Sequence, residues 1–302
     1  MLRDLTVDDD LDAYNVGNQR WPGAAFLRER GEAMSEGAMT MVGAETGGRP
    51  AAFLFLVAIP IRIGGRGFGG FFVQPWARGE GVGSALRTRL LELAAGFGLP
   101  GIVVTAPDDT DALQVVQHWG HPVVGRHYES ALDLRTLDDS AIDTFTARVR
   151  ASGIDLALLG TGKQAHEADL RTVYPFFADR FREAPDSDGS ASTMPFDVFA
   201  GFISAPWRLL LARRADELIG LTGVSPLDDR ALNTFFTGVH PGHRGQGIGL
   251  ALKARHAQLL RDRGYEQIRT QNMDSNRAVL AANDRLGFER LHAYLDVAID
   301  VR

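Results

Sequence analysis

The stretch HRGQGIGLALKAR, residues 243–255, sets Gly245, Gly247 and Gly249 at every second position behind Arg244. The apolar spacing that follows predicts a helix from about Ile248. The first backbone N–H groups of a helix have no partner inside it, and the helix dipole adds partial positive charge at the same end. Glycine lets an anion approach that backbone with no Cβ in the way, so the spacing predicts a pyrophosphate cradle with Arg244 as a fixed positive charge beside it. A tight strand-to-helix turn, with glycine only relieving strain, is the competing reading of one copy. The sequence holds a second one: ARGEGVGSALRTR at 77–89 carries Arg78, Gly79, Gly81 and Gly83 in the same order. Two other phosphate motifs fail the same test. No Gly-Lys is followed by Ser or Thr, as a Walker loop needs, and GRGFGG at 65–70 leads into the strand-like FFVQP, which reads as a hairpin turn.

The residue inventory removes other chemistries. With no cysteine there is no disulfide, thiol nucleophile or Cys-ligated zinc, and no metal site is expected. Lys163 and Lys253 are the only lysines, which leaves little for Schiff-base chemistry. A formal charge of −6 gives no basic face for nucleic acid, so small ligands or other proteins are the expected partners. The apolar run AAFLFLVAIPI (51–61) contains Pro60, meets Arg62 and is too short to span a bilayer, so no membrane association is expected. The N-terminus lacks a basic-then-apolar signal pattern, and a cytoplasmic location is the expectation.

The elements that must carry these loops follow from the repeat. An offset of 166 residues matches Val73, Pro75, Arg78, Gly79, Gly81, Gly83, Ala85, Leu86, Arg89, Leu93 and Gly98 to identical residues between Val239 and Gly264. A repeat this long predicts two tandem copies of one domain, 1–150 and 151–302, joined near Ser152-Gly153 after a short amphipathic segment. Each copy reads as strand, strand, strand, glycine loop, helix, strand. In the first, the helix at 84–97 carries Leu86, Leu90, Leu93 and Phe97 on one face. Residues 182–195 are the most loop-like stretch, rich in Pro, Gly, Ser and Asp.

VHPGHRGQGIG (239–249) and VQPWARGEGVG (73–83), with TQNMDSNRAVLAANDRLGF (270–288), resemble the GCN5-related N-acetyltransferases, the GNAT family. The resemblance covers nearly all of 152–302 and, more loosely, 1–150. It implies an α/β fold of the α+β mixed-sheet kind, with two tandem acyl-CoA N-acyltransferase domains, each a mixed sheet flanked by helices. It implies acetyl-CoA as cosubstrate, with its pantetheine arm between splayed strands at 236–240 and 269–272. Backbone N–H groups of Arg244, Gly245, Gln246, Gly247, Ile248 and Gly249 are then assigned to the pyrophosphate. Asn272 and Asn276 are assigned to the arm, although N-capping explains Asn276 almost as well. An N–H near Val239 is assigned to the developing oxyanion.

Relatives commonly carry a tyrosine as general acid four residues before the glycine of Leu-Gly-Phe; here Asn283 stands there, and an amide is no acid. Either the thiolate leaves unassisted, or Asn283 hydrogen-bonds the sulfur, or Tyr294 or Tyr174 reaches in. Glu183, Asp186 and His240 are candidate bases, His240 with a packed-turn alternative, and His256 falls on the apolar stripe as a core residue. In the first copy Thr105, Asp109 and Val116 replace Asn272, Asn276 and Asn283. Its cradle residues Val73, Arg78, Gly79, Gly81 and Gly83 remain, so this copy is expected to be degenerate and the second catalytic.

The implied function is acetyl-CoA-dependent N-acetyl transfer to a primary amine of a small molecule, by direct attack with both substrates bound. The alternative, raised by the missing tyrosine, is a non-catalytic acyl-CoA-binding or scaffold protein. Acidic Glu183, Asp186 and Asp188 suit a cationic acceptor; a peptide amino terminus or a mycothiol-type amine fits the resemblance equally. A monomer and a homodimer are both compatible with a tandem pair.

Overall fold

The computed structural model describes residues 1–15, 39–160, 162, 164–184 and 194–301. In chain order the elements are β1 (Leu2–Leu5), α1 (Leu11–Asn15), β2 (Met39–Thr46), β3 (Arg49–Arg62), β4 (Arg66–Val73), α2 (Val82–Gly96), β5 (Gly101–Pro107), α3 (Thr110–Trp119) and β6 (Val123–Asp133). They continue as α4 (Asp139–Ala151), β7 (Ile154–Leu158), α5 (Glu167–Arg182), α6 (Phe196–Phe202), β8 (Leu209–Arg214), β9 (Glu217–Pro226), β10 (Ala231–Val239), α7 (Ile248–Arg261), β11 (Gln267–Met273), α8 (Arg277–Leu286) and β12 (Glu289–Asp300). Two compact units form, one built on Met1–Arg126 and Tyr294–Arg302, the other on His127–Pro185 and Val198–Ala293. Each is a mixed sheet flanked by helices, the expected α/β class.

In the first unit β1 to β4 pair antiparallel in sequence order, β4 pairs parallel with β5, and β5 pairs antiparallel with β12 from Tyr294–Pro107 to Asp300–Gly101. The helix α2 buries Leu86, Leu90 and Ala94 against Leu54, Leu56 and Ile102. These are four-residue steps down one face, so the stripe runs through Ala94, and Phe97, expected on it, is 43 % exposed. In the second unit β7, β8, β9 and β10 pair antiparallel in order, β10 pairs parallel with β11, and β11 pairs antiparallel with β6 from Gln267–Asp133 to Met273–His127. One face of this sheet packs Ile248, Leu252 and Leu260 of α7. Rings of Phe177, Phe181 and Phe199 gather with Phe236, the Phe177–Phe236 centroids 4.8 Å apart.

These units depart from the 1–150 and 151–302 division expected from the repeat. The last strand of the first copy, β6, completes the second unit's sheet, and the last strand of the second copy, β12, completes the first's. The segment expected to be a short connector is a 13-residue helix, α4, capped by Asp138 and docked on α7. There Asp139 accepts from Gln258 at 3.0 Å and pairs with Arg261 at 3.0 Å, while Val149 joins the core of Ile248 and Leu252. A border at 150 thus falls inside a packed helix. Asp186, Asp188 and Lys163 lie outside the described residues.

Candidate active site

The glycine loops have one geometry in both copies. After a turn at Pro241–His243, Arg244 is extended, Gly245 (φ 77°) and Gly247 (φ 80°) are left-handed, and α7 starts at Ile248. In the first copy Gly79 (φ 83°) and Gly81 (φ 78°) repeat this ahead of α2. Only glycine takes these values without strain, and the alternation turns successive N–H groups toward one side, the form of an anion-binding concavity. Gly81 and Gly247 have no side chain to cap with, so among the described residues no N-cap side chain takes the first N–H groups of either helix. Gly249 is different: an added Cβ there would sit 3.7 Å from Val239 Cγ2, an ordinary contact.

The arginine, expected as a fixed positive charge, is tied to the strand before it. Arg244 Nε donates to the Val239 carbonyl at 3.1 Å, and Arg78 Nε donates to the Val73 carbonyl at 3.3 Å, so in each copy it clamps the loop to the strand before it. The remaining charge is partnered. Arg244 Nη2 pairs with Glu183, whose other oxygen takes Arg180 Nη2 at 2.9 Å; Arg78 lies 3.8 Å from Asp111. Glu183, a candidate base, therefore holds two guanidiniums, one on each carboxylate oxygen.

Each loop stands at the mouth of a gap between parallel strands. No ladder joins β10 and β11 beyond Thr234 and Thr270, because β10 bulges between Thr234 and Phe236 and follows β9 to Val239 while β11 follows β6. In the first unit β4 and β5 part after Gly69 and Val104, β4 following β3 and β5 following β12. In the first copy, expected to be degenerate, the backbone of the opposite strand is in place. A cleft of about 980 Å³ lies there, lined by Val73, Arg78, Gly81, Thr105 and Trp119 among others. What differs is the side chains. Val116, in place of Asn283, packs with Leu295 and Val297, and Trp119 lies 5.7 Å from the Phe71 ring.

The polar residues of the second copy fall into distinct roles. Asn276 caps α8, accepting from Val279 N at 3.4 Å, as Asp109 caps α3 by accepting from Ala112 N at 3.0 Å. Asn283 is 2 % exposed and donates from Nδ2 to Asn272 Oδ1 at 2.8 Å, a contact no spacing rule forecasts. His240 Nδ1 accepts from Gly242 N at 3.2 Å, which ties the ring to the turn. Tyr174 packs 5.6 Å from the Phe199 ring. Tyr294, buried at 2 %, lies opposite Pro107 and so belongs to the first unit rather than to the copy whose sequence supplies it.

His256 is buried, with Nε2 2.9 Å from the Trp207 carbonyl, and burial pushes its pKa down to about 4. The neutral ring is held in the folded state while the unfolded chain takes its proton near 6.5. Stability is therefore lost as pH falls from about 6.5 toward 4, by up to about 1.4 kcal/mol per unit. The expected result is a urea midpoint that drops over this range and drops less in His256→Phe.

The sequence description of the acetyltransferase (GNAT) family matches residues 5–120 and again 172–288, two segments that make up most of the chain. The chain belongs to the GNAT family. It is 26 % identical over 228 residues to a mycothiol acetyltransferase of Sanguibacter keddieii, covering 72 % of this chain and 69 % of that one. It is 25 % identical over 108 residues to probable N-acetyltransferase family 8 member 5 of Mus musculus, 34 % of this chain and 48 % of that protein, so this match spans about half the relative's length. Among solved structures, a GCN5-related N-acetyltransferase from Sphaerobacter thermophilus superposes with a TM-score of 0.71 at 17 % identity, over 100 % of this chain and 96 % of that one. A tandem GNAT protein from the clavulanic acid biosynthesis pathway gives 0.68 at 16 %, over 100 % and 98 %.

Acetyl-CoA is the acyl donor general to GNAT proteins, and the residues of this GNAT chain fit it: uncapped helix N–H groups behind left-handed glycines, beside a gap between strand edges. Among the described residues, no cluster of three or more His, Asp or Glu gathers as for a metal ion, and no helix is long and apolar enough to cross a membrane.

Proposed function

We propose that the second copy of this GNAT chain transfers an acetyl group from acetyl-CoA to a primary amine of a small molecule. The observation that supports this most is the combination, in that copy, of cradle and gap with the hydrogen-bonded amides Asn272 and Asn283. When bound, acetyl-CoA supplies an acetyl thioester open to attack by a neutral amine. The chain's part is to hold and orient. Backbone N–H groups from Arg244 to Gly249 take the pyrophosphate, the edges of β10 and β11 take the amides of the arm, and an N–H of the bulged β10 stabilises the carbonyl oxygen as it gains charge. The first copy, whose cleft has the size of a ligand site but which carries Thr105 and Val116 in place of the two amides, binds without turnover.

Thiol release from acetyl-CoA with a panel of amines, a mycothiol-type amine among them, tests this. Arg244→Ala frees the loop from Val239 and is expected to lower kcat/KM for acetyl-CoA about tenfold or more, the scale of losing one charge-assisted hydrogen bond. Arg78→Ala is expected to stay within about twofold, because its clamp lies in the other copy. The reverse pattern moves the site to the first copy. Stabilisation by CoA with no thiol release for any amine makes the chain a binding protein.

A further inference from the structure

Asn283 occupies the place where GNAT relatives commonly have a tyrosine, and its contact suggests what it does instead. It projects inward from α8 and donates to Asn272 Oδ1 at 2.8 Å. Asn272 lies two residues past Thr270, where the ladder to β10 ends, so it stands on the free stretch of the gap's wall. By strand alternation it shares a face with Ile268 and Thr270, the face buried against Ala257, Leu260 and Phe288. Its oxygen already accepts from Asn283, and among the described residues no acceptor takes its Nδ2 hydrogens.

The fold itself gains little from Asn283. Its Oδ1 is buried with no hydrogen-bond partner among the described residues, a destabilising arrangement that an apolar side chain of similar size avoids. Val116 shows that such a side chain packs at the equivalent place in the first copy. The amide is therefore accounted for by the one bond it makes.

We infer that Asn283 is a positioning residue: it fixes the Asn272 amide with its N–H group turned to the gap, as a hydrogen-bond donor to the acyl thioester. This rests on the acetyl-transfer reading above. The donor keeps its proton, so Asn272 stabilises charge that gathers on the thioester and provides no acid. The copy then needs no tyrosine at 283.

Asn283→Asp is the decisive variant, because it keeps the shape but can only accept when ionised. It turns the Asn272 amide over, so that a carbonyl faces the gap. In ¹⁵N NMR of the whole protein, the Asn272 side-chain NH₂ signals are expected to move on adding acetyl-CoA, without an amine, in the wild type and to stop responding in Asn283→Asp. In turnover, Asn283→Asp and Asn272→Ala are each expected to lower kcat about 30-fold, below the usual loss of a fixed oxyanion donor, with KM for acetyl-CoA within about threefold. The double variant Asn272→Ala/Asn283→Ala is expected to be no worse than Asn272→Ala alone, since the two act as one unit. Asn283→Leu supplies the same comparison should the buried carboxylate prevent folding. Unchanged Asn272 signals, kcat within about twofold in the Asn283 variants, or effects that multiply in the double variant overturn the inference. Wild-type protein that releases no thiol overturns the acetyl-transfer reading instead, and the NMR comparison then decides the role of Asn283 by itself.

Discussion

Gly247→Val is expected to lower kcat/KM for acetyl-CoA by about 100-fold or more, while Gly81→Val leaves turnover nearly unchanged. The reason is conformational. Gly247 sits at φ 80°, and an added Cβ meets no atom within 4 Å, so space is not the obstacle. A left-handed conformation costs an L-residue about 1–2 kcal/mol, and a β-branched side chain raises that cost. The loop relieves it by rotating Gly247 out of the left-handed region, which turns the N–H groups of the helix start away from the anion. Each hydrogen bond to a charged group contributes about 1.5–3 kcal/mol, so losing one or two gives a drop of this size. Folding suffers less, with Tm lower by a few degrees at about 2–4 °C per kcal/mol. Gly249→Ala is the control. Its φ is not left-handed and its Cβ meets Val239 at ordinary contact distance, so stability and turnover are expected to survive. Equal activity of Gly247→Val and Gly249→Ala would sink the cradle assignment.

The left-handed glycine loop was legible in the sequence, and the proposed cradle rests on two constraints that coincide on the same residues. A left-handed step demands glycine, an anion demands bare backbone, and the repeat showed both twice. The walls were legible in part. The repeat and residue types marked β10 and β11 as strands, and the family resemblance alone assigned them as walls. Periodicity does not tell which sheet edge a strand joins, so the exchange of β6 and β12 between copies left no mark in the pattern. Nor do residue types reveal which side chains meet. Asn272 and Asn283 were both picked out, yet the bond between them depends on how α8 lies on β11. The pairing of Arg244 with Glu183 left no mark because the two are 61 residues apart. Arg180 left no signal beyond being one arginine among many, though it holds Glu183 from the other side. These misses share a cause: local pattern fixes elements and caps, while partners across the chain follow from packing.

Lys253→Met is expected to stabilise the protein, by an amount that depends on pH. Lys253 is 6 % exposed on α7, and burial pushes its pKa from 10.5 down to about 7. Its Nζ lies 4.8 Å from the centre of the Phe288 ring. At about 1.36 kcal/mol per unit, keeping the ammonium charged in this setting costs at most about 4–5 kcal/mol. The ring face offsets up to about 2 kcal/mol of that, which leaves roughly 2–3 kcal/mol for methionine to recover with a side chain of similar length and flexibility. At about 2–4 °C per kcal/mol this is a Tm gain on the order of 5 °C or more. The sign with pH follows from proton uptake. Between about 7 and 10.5 the unfolded lysine is protonated and the folded one is not, so wild-type stability rises with pH across that window. The methionine advantage is then full below pH 7 and shrinks to nothing near 10.5. Urea midpoints of both proteins at pH 6, 8 and 9.5 measure it. A gain that stays constant with pH means packing rather than desolvation. A loss of stability in Lys253→Met at pH 6 means that the ammonium is better solvated in the folded state than its burial beside Phe288 implies.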